Sequence, residues 1–200
     1  MLFNKSRKHD FPPEMAFSDK EKLEVVSVIK LVGVIVSSDL RWSENTNYIC
    51  NKATQRLWTL RRLKRFNLDI FKLFDVYTKE VRSILELAVP VWHSSLTKNE
   101  SRQIENVQKS SFKIILGESY ISYEVACTIL GAEPLDLRRA QLCHKFAKKD
   151  IKKTNTLFKR SEKTPKTRTK EMTVVEPKCR TCRYQKSSIP YLSRLLNKET

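Results

Sequence analysis

Residues 70–88 carry an apolar stripe too broad for a surface helix: Ile70, Phe71, Leu73, Phe74, Tyr77, Val81, Ile84, Leu85 and Ala88 recur at helical spacing. A helix that is apolar over so much of its circumference must be covered on several sides. The stretch therefore predicts the central, most buried helix of a bundle. Asp69 stands where a side-chain oxygen can cap it. Pro90 is expected to end it, because proline lacks the amide that a helix interior needs.

The flanking sequence supplies the partners such a helix requires. Ser43 is placed as the N-cap of a helix whose apolar face is Ile49, Ala53, Leu57 and Leu60, ending near Arg65. Thr97-Lys98-Asn99-Glu100 has the pattern of a capping box. It opens a helix carrying Ile104, Val107, Ile114 and Ile115, stopped at Gly117. Ser122 caps a short helix through Val125, Ala126, Ile129 and Leu130, stopped at Gly131. Pro134 suits the first turn of a last helix with Leu135, Leu142 and Phe146. The expected fold is mainly α: a bundle of about five helices joined by short loops, over residues 42–153.

Residues 1–41 read differently. Phe11-Pro12-Pro13 interrupts any helix, and Leu23–Val26 and the β-branched run Val28–Val36 read as extended. Gly33 inside that run suggests a bulge or a close backbone approach, and Ser37-Ser38-Asp39 a turn. Residues 154–200 are expected to form a basic, partly disordered tail. Lys152–Lys178 reads as its linker, and Ile189-Pro190-Tyr191-Leu192 to Leu195-Leu196 as a small apolar element that closes it.

Charge narrows the partners. The net charge is +17, and residues 151–200, with 14 Lys and Arg against 4 Glu, hold +10 of it. Such a chain is expected to meet polyanions, RNA or DNA before an anionic membrane. Lys52, Arg56, Arg61, Arg62, Lys64 and Arg65 gather around Trp58 and Phe66 and are the candidate contacts. Cations neutralise phosphates, while the aromatics either stack on bases or pack the helix down, with Trp58 in the core.

Other chemistry finds little footing. Three glycines in 200 residues are too few for a phosphate-binding loop or a dinucleotide fold. Cys179 and Cys182 form a lone C-x-x-C, with Cys143 and His144 the nearest further ligands, more than thirty residues upstream; a tetrahedral zinc site is not expected. His93, at the end of an apolar stretch, reads as a partly buried packing residue. No carboxylate pair, serine elbow or histidine motif marks a catalytic centre, so no cofactor and no metal are expected. The polar amino terminus MLFNKSRKHD and the odd, scattered cysteines Cys50, Cys127, Cys143, Cys179 and Cys182 suggest a reducing compartment, nucleus or cytoplasm. No apolar run reaches membrane-spanning length.

Several stretches together resemble one family. Lys30-Leu31-Val32-Gly33-Val34-Ile35-Val36-Ser37-Ser38-Asp39-Leu40-Arg41-Trp42-Ser43 resembles the segment that follows the palm in reverse transcriptases of non-LTR (jockey- and LINE-like) retrotransposons. Asn51-Lys52-Ala53-Thr54-Gln55-Arg56-Leu57 resembles their first thumb helix. Leu87-Ala88-Val89-Pro90-Val91-Trp92-His93, Ile104-Glu105-Asn106-Val107-Gln108-Lys109, and Glu133-Pro134-Leu135 with Arg138-Arg139 resemble the stretches that come next. Ser187-Ser188-Ile189-Pro190-Tyr191-Leu192 resembles the ends of such reading frames. The resemblance implies a β-hairpin leading into a thumb-like module that holds template–primer or element RNA. It also implies no polymerisation by this chain alone, since the family's palm aspartates have no counterpart here. An interaction or structural role, with exposed apolar surface driving self-association, is the alternative. The stretch from Val34 to Tyr48 is also similar to the amino-terminal segment assigned to the AlkB-homologue-8 family of oxygenase–methyltransferases, although neither an iron-binding triad nor a glycine-rich cofactor turn accompanies it.

Overall fold

Two hairpins lead the chain into its helices in the computed structural model, which describes residues 14–18, 21–24, 26–153 and 174–198, with side-chain surroundings for 26–150 and 174–198. The expectations for Phe11-Pro12-Pro13 and for most of the Lys152–Lys178 linker lie outside these residues. The first hairpin pairs β1 (Glu14–Ser18) with β2 (Glu21–Glu24), antiparallel, with a register shift between Ala16 and Ser18.

The second hairpin corrects one expectation. Val28–Val36 is not one extended run but β3 (Val28–Leu31) folded back on β4 (Val34–Ser37), with Leu31 opposite Val34. Val32 and Gly33 form the two-residue turn at φ 47° and 84°. Positive φ at both positions gives the turn whose twist matches paired strands. Gly33 is therefore a turn residue and not a bulge. The close approach does hold: a Cβ on Gly33 would lie 3.1 Å from Leu87 Cδ2. Ser37-Ser38-Asp39 turns the chain as expected, and Arg41 N donates to Asp39 Oδ1 at 3.0 Å. Ile35 N donates to the buried Asn45 Oδ1 at 3.1 Å, fastening β4 to the first helix.

That helix, α1 (Ser43–Arg65), turns Thr46, Ile49, Ala53, Leu57 and Leu60 inward, each at most 2% exposed. It lies along α5 (Lys98–Leu116) and runs parallel to it, since Ser43 meets Glu100 at one end and Lys64 meets Ile115 at the other. Ser43 is not the N-cap. Trp42 takes that place without a side-chain bond, and the Ser43 hydroxyl donates to Glu100 Oε1 at 2.6 Å. A carboxylate is a stronger acceptor than any partner the cap position would have offered.

The central stripe is buried as its breadth requires. Leu73, Tyr77, Val81 and Leu85 are all 0% exposed, although Phe71 faces water at 62%. The segment runs as α2 (Ile70–Val76), a π-helical stretch Tyr77–Arg82, and α3 (Ser83–Leu85). Four-residue steps drift about 40° each around an α-helix of 3.6 residues per turn. The wider π turn takes a smaller angle per residue, which keeps the four core side chains on one line. Asp69 caps the segment as expected, accepting from Phe71 N at 3.0 Å. Pro90 does not end it. The helix stops at Glu86, Ala88 turns left-handed at φ 52°, and Pro90 sits in the first turn of α4 (Val89–Trp92). A first-turn amide has no helical acceptor, so proline loses nothing there.

The remaining helices follow their caps. Thr97 and Glu100 close the capping box of α5, and Ser122 Oγ accepts from Val125 N at the start of α6 (Tyr123–Leu130), which ends on left-handed Gly131. In α7 (Leu135–Lys153) the inward line is Leu135, Arg139, Cys143 and Ala147, while Phe146 is 39% exposed instead of buried. Beyond α8 (Cys182–Gln185), the expected apolar element is the helix α9 (Ser188–Lys198), seated on α7 through Leu192 and Leu196. Asn197 brackets the buried Val174, accepting from its N–H at 3.1 Å and donating to its carbonyl at 3.0 Å. Among the described residues no helix is long and apolar enough to cross a membrane.

Candidate nucleic-acid interface

With one side of α1 turned to the core, its opposite side faces water. Between Glu44 and Asp69 the chain has no acidic residue and six cations. Trp58, Arg62 and Phe66 follow at four-residue intervals and form one ridge, spanning about 12 Å at 1.5 Å per residue. Trp58 is 59% exposed and Phe66 70% exposed, so neither belongs to the core. The Arg62 guanidinium lies over the Trp58 ring, 5.3 Å from its centroid. Arg61 and Arg65, one turn apart and both exposed, form the adjoining ridge. Lys113 lies 5.5 Å from the Tyr120 ring near the end of α5, the end that Lys64 reaches.

The six cations singled out in the sequence do not share one face. Arg61, Arg62 and Arg65 stand together. Lys64 points back to the bundle, where its ammonium donates to Ile115 O at 2.7 Å and completes the carboxy-terminal end of α5. Arg56 is 4.0 Å from Glu80. Lys52 lies on the opposite flank, 6.0 Å from the Tyr48 ring, beside a cleft of about 210 Å³ also lined by Ile49, Ser83, Ile84 and Leu87. Lys30, from β3, approaches the same ring at 4.9 Å and, by hydrogen bonding, holds the Tyr48 phenol below its ordinary range.

Polar residues of the resembling motifs turn inward and serve the bundle. Tyr77 OH donates to Gln108 Oε1 at 2.5 Å, and Gln108 Nε2 lies 2.8 Å from Tyr123 OH and 3.0 Å from Glu133 O. Tyr123 OH donates in turn to Glu105, whose Oε1 also accepts from Leu135 N at 3.0 Å. Glu105 and Gln108 thus join the π segment, α5, α6 and α7. Burial raises both tyrosine phenols far above their usual range. Arg138 makes a two-pronged contact with Glu86.

Arg139 is 0% exposed, which nothing in its sequence surroundings signalled. It donates to Ser101 Oγ at 2.6 Å and to His93 Nδ1 at 3.4 Å. His93 is half-buried, as expected, and burial and the Arg139 charge push its pKa down to about 4. The fixed +1 of α7 recurring on an apolar line is the only sequence sign of this arrangement. Its meaning depends on which side chains of α4 and α5 lie opposite.

The cysteines are all free. Burial raises the Cys50 and Cys143 thiols to about 11 and about 12, which leaves them protonated and unreactive at neutral pH. Cys179 and Cys182 are exposed, and among the described residues no group of three or more His, Cys, Asp and Glu side chains gathers as a metal site. Comparisons of the chain with protein-family models, with curated proteins and with solved structures return no match.

Proposed function

We propose that this chain is a non-catalytic nucleic-acid-binding module, thumb-like in the manner of the non-LTR reverse transcriptases whose motifs it resembles. The observation that carries the reading is the exposed Arg61–Arg62–Arg65 arc beside Trp58, on a helix with no acidic residue past Glu44. These three arginines contact phosphates, Lys52 adds a contact on the other flank, and the basic residues beyond 150 add sequence-independent attraction. Lys64 is removed from the set because its charge closes α5. The chain brings no bond-making chemistry of its own to the RNA or DNA it holds.

Binding of this kind weakens linearly in log affinity against log salt, with little sequence preference. Replacing Arg61, Arg62 and Arg65 together by Gln is expected to flatten that slope by about 2–3, since each phosphate contact contributes roughly 0.7–0.9. Fluorescence anisotropy on labelled RNA at several salt concentrations measures it. An affinity that ignores salt overturns the reading.

A second reading, an interaction module, is favoured by the β3–β4 hairpin. Val28, Leu31, Val32 and Leu40 are 44%, 59%, 90% and 45% exposed there, an apolar surface of the kind that drives association. Light scattering separates the two, because a monomer that binds RNA agrees only with the first.

A further inference from the structure

The ridge on α1 is more than a row of charges. Trp58 and Phe66 leave over half of their surface in water, while Trp92 of the same chain is 0% exposed. Burying a side chain of this size is worth roughly 2–3 kcal/mol, so two such residues left open on one ridge have been given no partner by the bundle. Arg62, between them along the ridge, lies over the indole. A guanidinium there steadies the ring by cation–π attraction and leaves its remaining surface open.

Cations alone do not distinguish one strand from two, because both present phosphates outward. Aromatic side chains do distinguish them. In a duplex the base faces are stacked on one another, whereas unpaired bases offer open faces to an indole or a phenyl ring. A second copy of this chain is a poor occupant for the ridge, since each copy carries +17 and the arginines would meet like charge.

We infer that the Trp58–Arg62–Phe66 ridge is a stacking platform for unpaired bases, with Arg61 and Arg65 alongside it tracking the backbone, so that the ligand is single-stranded RNA or DNA and not duplex. The inference rests on the nucleic-acid reading of the same helix and names the form of nucleic acid it takes. The two ridges divide the work. Stacking selects for exposed base faces, and the flanking cations supply attraction that is indifferent to strandedness.

The test uses the full chain, a labelled oligouridylate about 20 nucleotides long and a duplex of equal length, at one fixed salt concentration. The single strand is expected to bind roughly tenfold tighter. Trp58→Ala is expected to weaken single-strand binding about five- to tenfold while duplex binding stays within about twofold. Trp58→Phe retains most of the affinity, because a phenyl ring still stacks. Since Trp58 is exposed, the Ala variant keeps its fold, and an unchanged circular dichroism melt verifies that. Duplex bound as tightly as single strand, or a Trp58→Ala loss equal on both, overturns the stacking platform while leaving the cationic face standing. Salt-independent binding, or none to either ligand, overturns the cationic face itself. A Trp58→Ala variant that binds both normally but loses self-association assigns the ridge to a protein partner and also overturns the inference.

Discussion

His93 shows how one side chain can report on a buried charge. The Arg139 guanidinium donates to its Nδ1, which requires that nitrogen to be unprotonated. The Tyr191 ring stands 5.8 Å from it, and Asp136 acts weakly in the opposite sense. The folded-state pKa of about 4 lies below the ordinary 6.5 of an unfolded chain. The unfolded state therefore takes up the proton first as the pH falls. Stability due to a neutral His93 is complete above about 6.5 and is lost on descending toward 4. Thermal melts of the parent chain should show a midpoint that falls across this window, and His93→Gln should flatten the fall. Parallel curves for the two would refute the arrangement. Any loss below the window shared by both proteins belongs to Asp39 and Glu100, whose carboxyls are held below their usual range by hydrogen bonds.

Among the elements, α1 and α5 depend most on one carboxylate. Glu100 is 8% exposed, accepts from Thr97 N at 2.7 Å, lies 2.8 Å from Thr97 Oγ1, and accepts from Ser43 Oγ at 2.6 Å. Glu100→Ala removes half of a capping box and the tie between two helices at once. A loss of about 2 kcal/mol in urea unfolding is expected, against about 1 for Ser43→Ala, which removes only the tie. Most elements were legible in the sequence because their signals are local. Asp69, the Thr97–Glu100 box, Ser122, Gly117 and Gly131 act on amides within a turn of themselves, so spacing alone locates them. Ser43 was misplaced because its partner lies 57 residues away. Phe146 and Arg139 were not legible for the same reason, since inside and outside on α7 depend on α4 and α9. At the candidate site, spacing found the cations but could not separate Lys64, which turns to Ile115, from Arg61, Arg62 and Arg65, which face water.

At the scale of the whole molecule, the apolar core is continuous from Ile49 to Leu196, including Val174 and Leu192 near the carboxy-terminal end. The amphipathic α9 is thus a wall of the bundle and not an appendage. Leu192→Ala leaves a cavity against α7 and is expected to lower stability by roughly 2–4 kcal/mol. The loss should appear as one earlier transition, with circular dichroism and tryptophan fluorescence coinciding. A two-step melt in which α9 detaches first would contradict this continuity.

The π-helical stretch Tyr77–Arg82 holds the equivalent of one surplus residue within the central helix. Its outer positions, Lys79 and Glu80, lie in solvent, and their side chains can be exchanged freely so far as packing is concerned. Chain length there is a different matter. Loss of a single codon would let the segment relax to ordinary helical pitch and swing everything downstream by about 100°. Leu85, Val89 and Trp92 would then leave the interior together. Point substitution and single-residue deletion in these six positions are therefore unequal lesions, the first absorbed at the surface and the second unpacking the half of the bundle that follows.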